Sequence, residues 1–201
     1  MKRAWRVAFV AGVVGLILPA CGQDETTDLQ VEYLEPVQPN LPEVPQIPPP
    51  PYPITYPDSS YSAYGLRHRI RTTLDTSVSV TGYIVEIYEP PPCEEGETCP
   101  RPAAPHFWIA DAQGETDDIK RLMVVGYAEN QNDIDEAKRQ GQRGQDRARA
   151  DGVVPVPIDL AIGNKIKVTG QFSLMSGAGF NSSNGLVQYG GHETLETANP
   201  S

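Results

Sequence analysis

Positive charge is scarce in this chain: 16 Lys and Arg stand against 26 Asp and Glu, for a formal net charge of −10. Affinity for nucleic acid comes largely from cations that neutralise phosphates, so a dedicated nucleic-acid binder is not expected. Histidine is equally thin. His68, His106 and His192 are scattered, with no His-Glu-x-x-His arrangement, no Gly-rich phosphate loop and no serine in a nucleophile setting. The familiar hydrolytic and phosphoryl-transfer layouts are therefore missing, and no enzyme, cofactor or metal is implied. There are three cysteines, Cys21, Cys93 and Cys99. Five residues separate Cys93 from Cys99, where a thiol-exchange motif would have two, and His106 lies beyond a proline-rich stretch that argues against a shared metal site. Long apolar runs are also lacking. The best is Val7–Ile17, eleven apolar or small residues, too short to span a bilayer.

That run has another use. Lys2, Arg3 and Arg6 precede it and small residues follow, which is the layout of a secretory signal. Leu18-Pro19-Ala20-Cys21 at its end resembles a bacterial lipobox. The resemblance implies that Cys21 is lipidated and becomes the first mature residue, with the membrane as a partner through that anchor. Gly22 in place of aspartate implies, by the same resemblance, an outer-membrane or surface destination over the inner membrane. Loss of Lys2, Arg3 and Arg6 takes the charge from −10 to −13. Outside the cytoplasm a near-neighbour pair such as Cys93 and Cys99 usually oxidises, and closing that loop would contribute roughly 2 kcal/mol.

Residues 1–21 are thus expected as the signal, 22–63 as a spacer, 64–192 as a folded domain and 193–201 as a loose tail. Ten prolines fall between Pro36 and Pro57, and seven acids with no base between Asp24 and Asp58. Such a segment is stiff and extended, and at about 3.1 Å per residue Pro36–Pro57 would reach roughly 70 Å. It lifts a domain off a membrane or serves as a proline-rich ligand. Tyr52, Tyr56, Tyr61 and Tyr64 at its end would pack on the domain or on a partner.

The domain reads mainly as strand. Ser77–Glu89 is a long strand interrupted by Gly82, which suggests a bulge or bend. His106–Asp111 puts Phe107 and Ile109 on one face and His106 and Trp108 on the other. A third strand is expected over Arg121–Tyr127, a fourth over Ile162–Phe172 and a short fifth over Gly185–Tyr189. Between the third and fourth, Asn132–Asp151 predicts a polar helix capped by Asn132 or Asp133 and weakened by Gly141 and Gly144. Ser173–Asn184 predicts a mobile Gly/Ser loop. Arg67-His68-Arg69-Ile70-Arg71 alternates in a way that suits the exposed edge of a strand. Asp111, Glu115, Asp117 and Asp118 could hold calcium but fit a solvated acidic turn better.

Three stretches carry a family likeness: Val80-Thr81-Gly82-Tyr83-Ile84-Val85, Phe107-Trp108-Ile109-Ala110-Asp111 with Gly114, and Gly163-Asn164-Lys165-Ile166-Lys167-Val168-Thr169-Gly170. Together with the order of three strands, a helix and two strands, they resemble the OB-fold, a five-stranded Greek-key barrel. The resemblance implies a binding surface on strands two and three, flanked by the loops 89–105 and 173–184. Tyr83, Tyr88, His106, Trp108, Tyr127 and Phe180 are the expected surface residues. Trp108 has a rival place, since a Trp in an apolar strand is more often core than displayed. The functional expectation is an exported, lipid-anchored, non-enzymatic binding module for an envelope protein or glycan. The alternatives are an assembly subunit docking through its spacer and, against the charge, an exported single-strand nucleic-acid binder.

Overall fold

The computed structural model describes residues 33–34, 36, 38–43, 47–92, 98 and 100–198. Cys21, Cys93 and Cys99 lie outside the described residues, and with them the lipidation and disulfide expectations. The chain divides into two units, Met1–Gln46 and Ile47–Ser201. The described residues of the first carry no helix or strand.

The second unit is mainly β. Its strands are β1 (Tyr61–Ser62), β2 (Ser77–Ile87), β3 (His106–Ala110), β4 (Leu122–Val125), β5 (Lys165–Met175) and β6 (Asn181–Glu196). They form one six-stranded mixed sheet in the order β1-β2-β3-β4-β6-β5, and β2 also pairs with β5. Five strands therefore follow one another in a ring. The long β2 makes this possible by serving two neighbours: Ser77–Tyr83 pair with β5 and Tyr83–Ile87 with β3. The expected irregularity in β2 falls between Ile84 and Glu86, two residues beyond Gly82. All ring contacts are antiparallel except β4 with β6.

Alternation explains the core. Val78, Val80, Ile84, Phe107, Ile109, Leu122, Val124, Ile166, Val168, Phe172 and Val187 point inward and are buried. Burying each such aliphatic or aromatic side chain contributes about 1.5–3 kcal/mol. The helix α3 (Gln131–Ala150) adds little apolar surface, since its buried residues are Ile134 and Gln145. Its start is nevertheless well specified. Asn130, not Asn132 or Asp133, is the cap, and Asp133 closes a reciprocal capping box. Gly141 leaves helical geometry and kinks the helix in the middle.

Four local expectations are corrected. Arg67–Arg71 is not strand: α1 (Ala63–His68) and α2 (Ile70–Thr73) occupy it. Ala63 and Leu66 of α1 are buried in the core, a helical spacing that the alternating arginines mask. The Gly/Ser segment 173–184 is mostly strand, joined by a tight turn in which Ser176 N donates to Phe180 O at 2.9 Å. The last strand continues to Glu196, so 193–196 are not loose. Cross-strand pairs hold them, Lys167–Glu193 at 2.9 Å and Lys165–Glu196 at 3.0 Å. His192 adds to this by bonding Asp159 at 3.1 Å and the Tyr189 hydroxyl at 2.8 Å. Finally, the folded unit takes in residues assigned to the spacer. Ser60 and Ser62 are buried, β1 lies parallel to β2, and the Ser60 hydroxyl meets that of Thr81 at 2.9 Å. These contacts use backbone and hydroxyl groups, which leave no apolar pattern in sequence.

Asp111 shows how α1 is fixed. Its two carboxylate oxygens accept from Ala63 N at 2.8 Å and Tyr64 N at 2.7 Å. Burial raises its pKa above 3.8, against the pull of those two bonds and of Arg67. The folded chain thus holds this proton more tightly than the unfolded chain. Its contribution is most favourable below the ordinary carboxylate range and declines as pH rises through the raised value. Asp111→Asn cannot ionise, and the acceptor it loses shifts stability equally at every pH. Relative to wild type it should therefore gain stability as pH rises from the ordinary carboxylate range through the raised value. Urea unfolding across that window checks this; a constant difference would refute it.

Candidate functional site

On β3 and β4 the residues that alternate with the core face outward. Phe107 and Ile109 point in; His106 and Trp108 point out and pair with Val125 and Met123 of β4. Leu186 of β6 pairs with Met123 and extends the same face. Met123, Val125 and Leu186 form a second buried apolar cluster, with Trp108 and Phe180 packed against it. Trp108 is therefore half-buried on the outer face and does not belong to the main core.

An aromatic ladder runs along this face. Tyr88, just beyond the end of β2, stacks on His106 with ring centroids 4.7 Å apart. Phe180, from the β5–β6 turn, meets His106 in a tilted contact, with centroids 4.8 Å apart and the rings at 57°. His106 Nδ1 is within 2.9 Å of Ala104 O, and Ala103 N donates to the Tyr88 hydroxyl at 3.1 Å. Both rings are thus held by the 89–105 loop. A groove of about 480 Å³ opens beside them, lined by Tyr88, Pro90, Arg101, Pro105, Asn130 and Ala178. The two loops singled out from sequence meet in this groove.

One cation, Arg121, sits on this face between two carboxylates. The Arg121 guanidinium lies 4.9 Å from the Trp108 ring centroid and pairs with Glu86 and Asp118. Desolvation opposes its charge, but the hydrogen bonds to Asp118 and Glu86 outweigh this and hold its pKa above the ordinary value. Its Nε is buried with no hydrogen-bond partner among the described residues. A guanidinium on a Trp face anchors the ring and stiffens the platform.

Of the six residues expected at the surface, Tyr88, His106, Trp108 and Phe180 come together. Tyr127 does not. It is buried against Phe107 at 5.4 Å, and burial pushes its hydroxyl up to about 12. Gly126, at φ 78, turns the chain out of β4 and sends Tyr127 inward, where plain alternation would keep it beside Val125. Tyr83 lies elsewhere, with Lys165 Nζ 5.3 Å from its ring centroid. Met123, Val125, Leu186 and Arg121 were missed. The signal was present: Leu122–Val125 is apolar at four consecutive positions, and such a strand needs cover on both faces.

Chemically, this arrangement presents flat groups for stacking. Among the described residues it places no nucleophile beside a base. Among the described residues no three His, Cys, Asp or Glu side chains are placed to hold a metal ion. In the acidic cluster after β3, Asp111 accepts from the first two N–H groups of α1, while Glu115 and Asp117 hold Lys120 at 3.5 and 3.4 Å.

No family model and no curated protein matches the chain. Among solved structures it is similar to an OBody bound to hen egg-white lysozyme, at 10% identity and TM-score 0.33, over 63% of this chain and 87% of that one. It is also similar to the asparaginyl-tRNA synthetase of Pyrococcus horikoshii complexed with asparaginyl-adenylate, at 12% identity and TM-score 0.31, over 63% of this chain and 20% of that one. A third is the S. pombe Stn1–Ten1 complex, at 18% identity and TM-score 0.28, over 59% and 57% of the two chains. Likenesses this distant assign neither fold family nor function.

Proposed function

We propose that the five-strand ring is an OB-like Greek-key barrel, and that the chain is an exported, lipid-anchored, non-enzymatic binding module. The observation that carries the reading is the Tyr88–His106–Phe180 ladder beside Trp108, open to a groove between two loops. Aromatic rings set side by side suit ligands that present flat apolar faces, such as sugar rings or the aromatic side chains of an envelope protein. The anchor rests on Leu18-Pro19-Ala20-Cys21 and on the proline-rich segment behind it.

One experiment tests both halves. Tagged full-length chain is crosslinked in intact cells, and its bound molecules and membrane fraction are compared for wild type, Cys21→Ser and the Tyr88→Ala/His106→Ala double variant. Cys21→Ser should release the protein from membranes or stall its processing. The double variant should stay anchored and fold normally, but lose its crosslinked partner at least tenfold, since each stacked ring is worth on the order of 1 kcal/mol. Retention of Cys21→Ser in the membrane would overturn the anchor. Undiminished crosslinking of the double variant would overturn the site. Crosslinks confined to Pro36–Pro45 would favour docking through the spacer.

A further inference from the structure

A second cavity, of about 520 Å³, lies apart from the aromatic ladder, between α1, the segment before β1 and the turn after β3. Its walls include Pro51, Tyr52, Tyr64 and Ile119, the last 69% exposed. This volume and this mostly apolar wall are those of a small-molecule site. We propose that this cavity binds a carboxylate carried on an aromatic or aliphatic body, with the Arg67 guanidinium as its polar anchor.

The acceptors of the cavity are already used. Asp111 accepts both α1 N–H groups. Glu115 accepts from Thr116 N and Asp117 N and faces Lys120 at 3.5 Å. The Lys120 ammonium is taken up by Glu115 and Asp117. The Tyr64 hydroxyl is 2.8 Å from His68 Nε2. Arg67 differs. Its Nε donates to Ala63 O at 3.1 Å, but among the described residues neither of its terminal nitrogens has a hydrogen-bond or ion-pair partner. Burial pulls its pKa below the ordinary value, opposed by the charges of Asp111 and Asp117. A half-buried guanidinium with a free planar fork is complementary to a carboxylate, which can take both N–H groups at once.

Charge also selects the ligand. Asp111 and Glu115 line the same cavity and repel any anion, a phosphate dianion about twice as strongly as a carboxylate. A monoanion neutralises the Arg67 charge and leaves its body to Tyr52, Tyr64 and Ile119. The chain's net charge of −10 opposes long-range attraction of any anion, so the apolar body must supply much of the affinity. None of this depends on the function assigned to the β3–β4 face.

The test uses the full chain, calorimetry and NMR, with 3-phenylpropanoate, its uncharged amide and inorganic phosphate as probes. Saturable binding of 3-phenylpropanoate is expected, with the amide at least tenfold weaker and phosphate not bound. Arg67→Gln should weaken the acid about tenfold and leave the amide unchanged; Arg67→Lys, which keeps charge but not the fork, should fall between. Signals of Tyr52 and Ile119 should move while the Trp108 indole stays put. The acid–amide comparison is made on wild type, so the outcome does not hang on the folding of a variant. No saturable binding at millimolar acid, or equal binding of acid and amide, would overturn the proposal. A tighter complex with N-acetylphenylalanine than with 3-phenylpropanoate would keep the carboxylate site and place its source at a polypeptide C-terminus.

Discussion

Gly185→Ala should lower the thermal midpoint of the folded unit by roughly 10 °C, from about 3 kcal/mol of lost stability. Two costs add. Gly185 sits at φ 83, where a residue with a β-carbon is strained. Its new methyl carbon would also fall 2.1 Å from Cζ of Phe172, a ring with no exposed surface. Phe172 cannot swing aside, because Val187 across the β5–β6 ladder and the rest of the core close around it. Circular dichroism melts of the two proteins measure the shift. A midpoint within two or three degrees of wild type would mean that β6 does not press on Phe172 as described.

The second large effect is expected at Gly65, and here the sign itself is informative. An alanine in place of glycine inside a helix normally adds up to about 1 kcal/mol of stability. At Gly65 a β-carbon would lie 1.9 Å from the carbonyl oxygen of Ile54. A backbone atom cannot rotate away, so the segment before β1 must lift off α1. Gly65→Ala should therefore destabilise by about 2 kcal/mol, the net of overpacking against propensity. It should also open residues 50–60 to limited proteolysis. A stabilised variant with unchanged cleavage would show that this segment does not rest on α1.

How much of this was written in the sequence depends on what holds each element. β2 and β5 were legible because Val78 and Val80, and Ile166 and Val168, alternate with polar neighbours, and β3 because His106–Ala110 is a short apolar and aromatic run. The helix was legible from its capping and its basic last turn, though the cap itself was misplaced by two residues. The end of β6 was not legible. The fifth strand is expected to stop at Tyr189, whereas Gly190 is the extra residue where the register shifts between Thr169 and Gly170. The strand beyond is secured by Lys–Glu partners on another strand. The segment before β1 was equally opaque, since serine hydroxyls and backbone groups hold it. At the aromatic face, alternation on β3 placed His106 and Trp108 correctly. Tyr127 was misplaced because one glycine backbone angle, invisible in a pattern of apolar positions, decides its side.

The parallel pairing of β4 with β6 has a consequence for how the chain folds. Met123 and Leu186, adjacent in space, are more than sixty residues apart along the chain, with a kinked helix of low apolar content between them. Hairpins β2–β3, β3–β4 and β5–β6 can each form early from local collisions. The ring cannot close until the β5–β6 hairpin has docked β6 on β4 and β5 on β2, and that search carries the entropy of the whole intervening loop. Closure should therefore be the late, rate-limiting event. A nascent chain that has not yet released its last strand would hold two open sheet edges, and it would be most prone to mispairing at that moment.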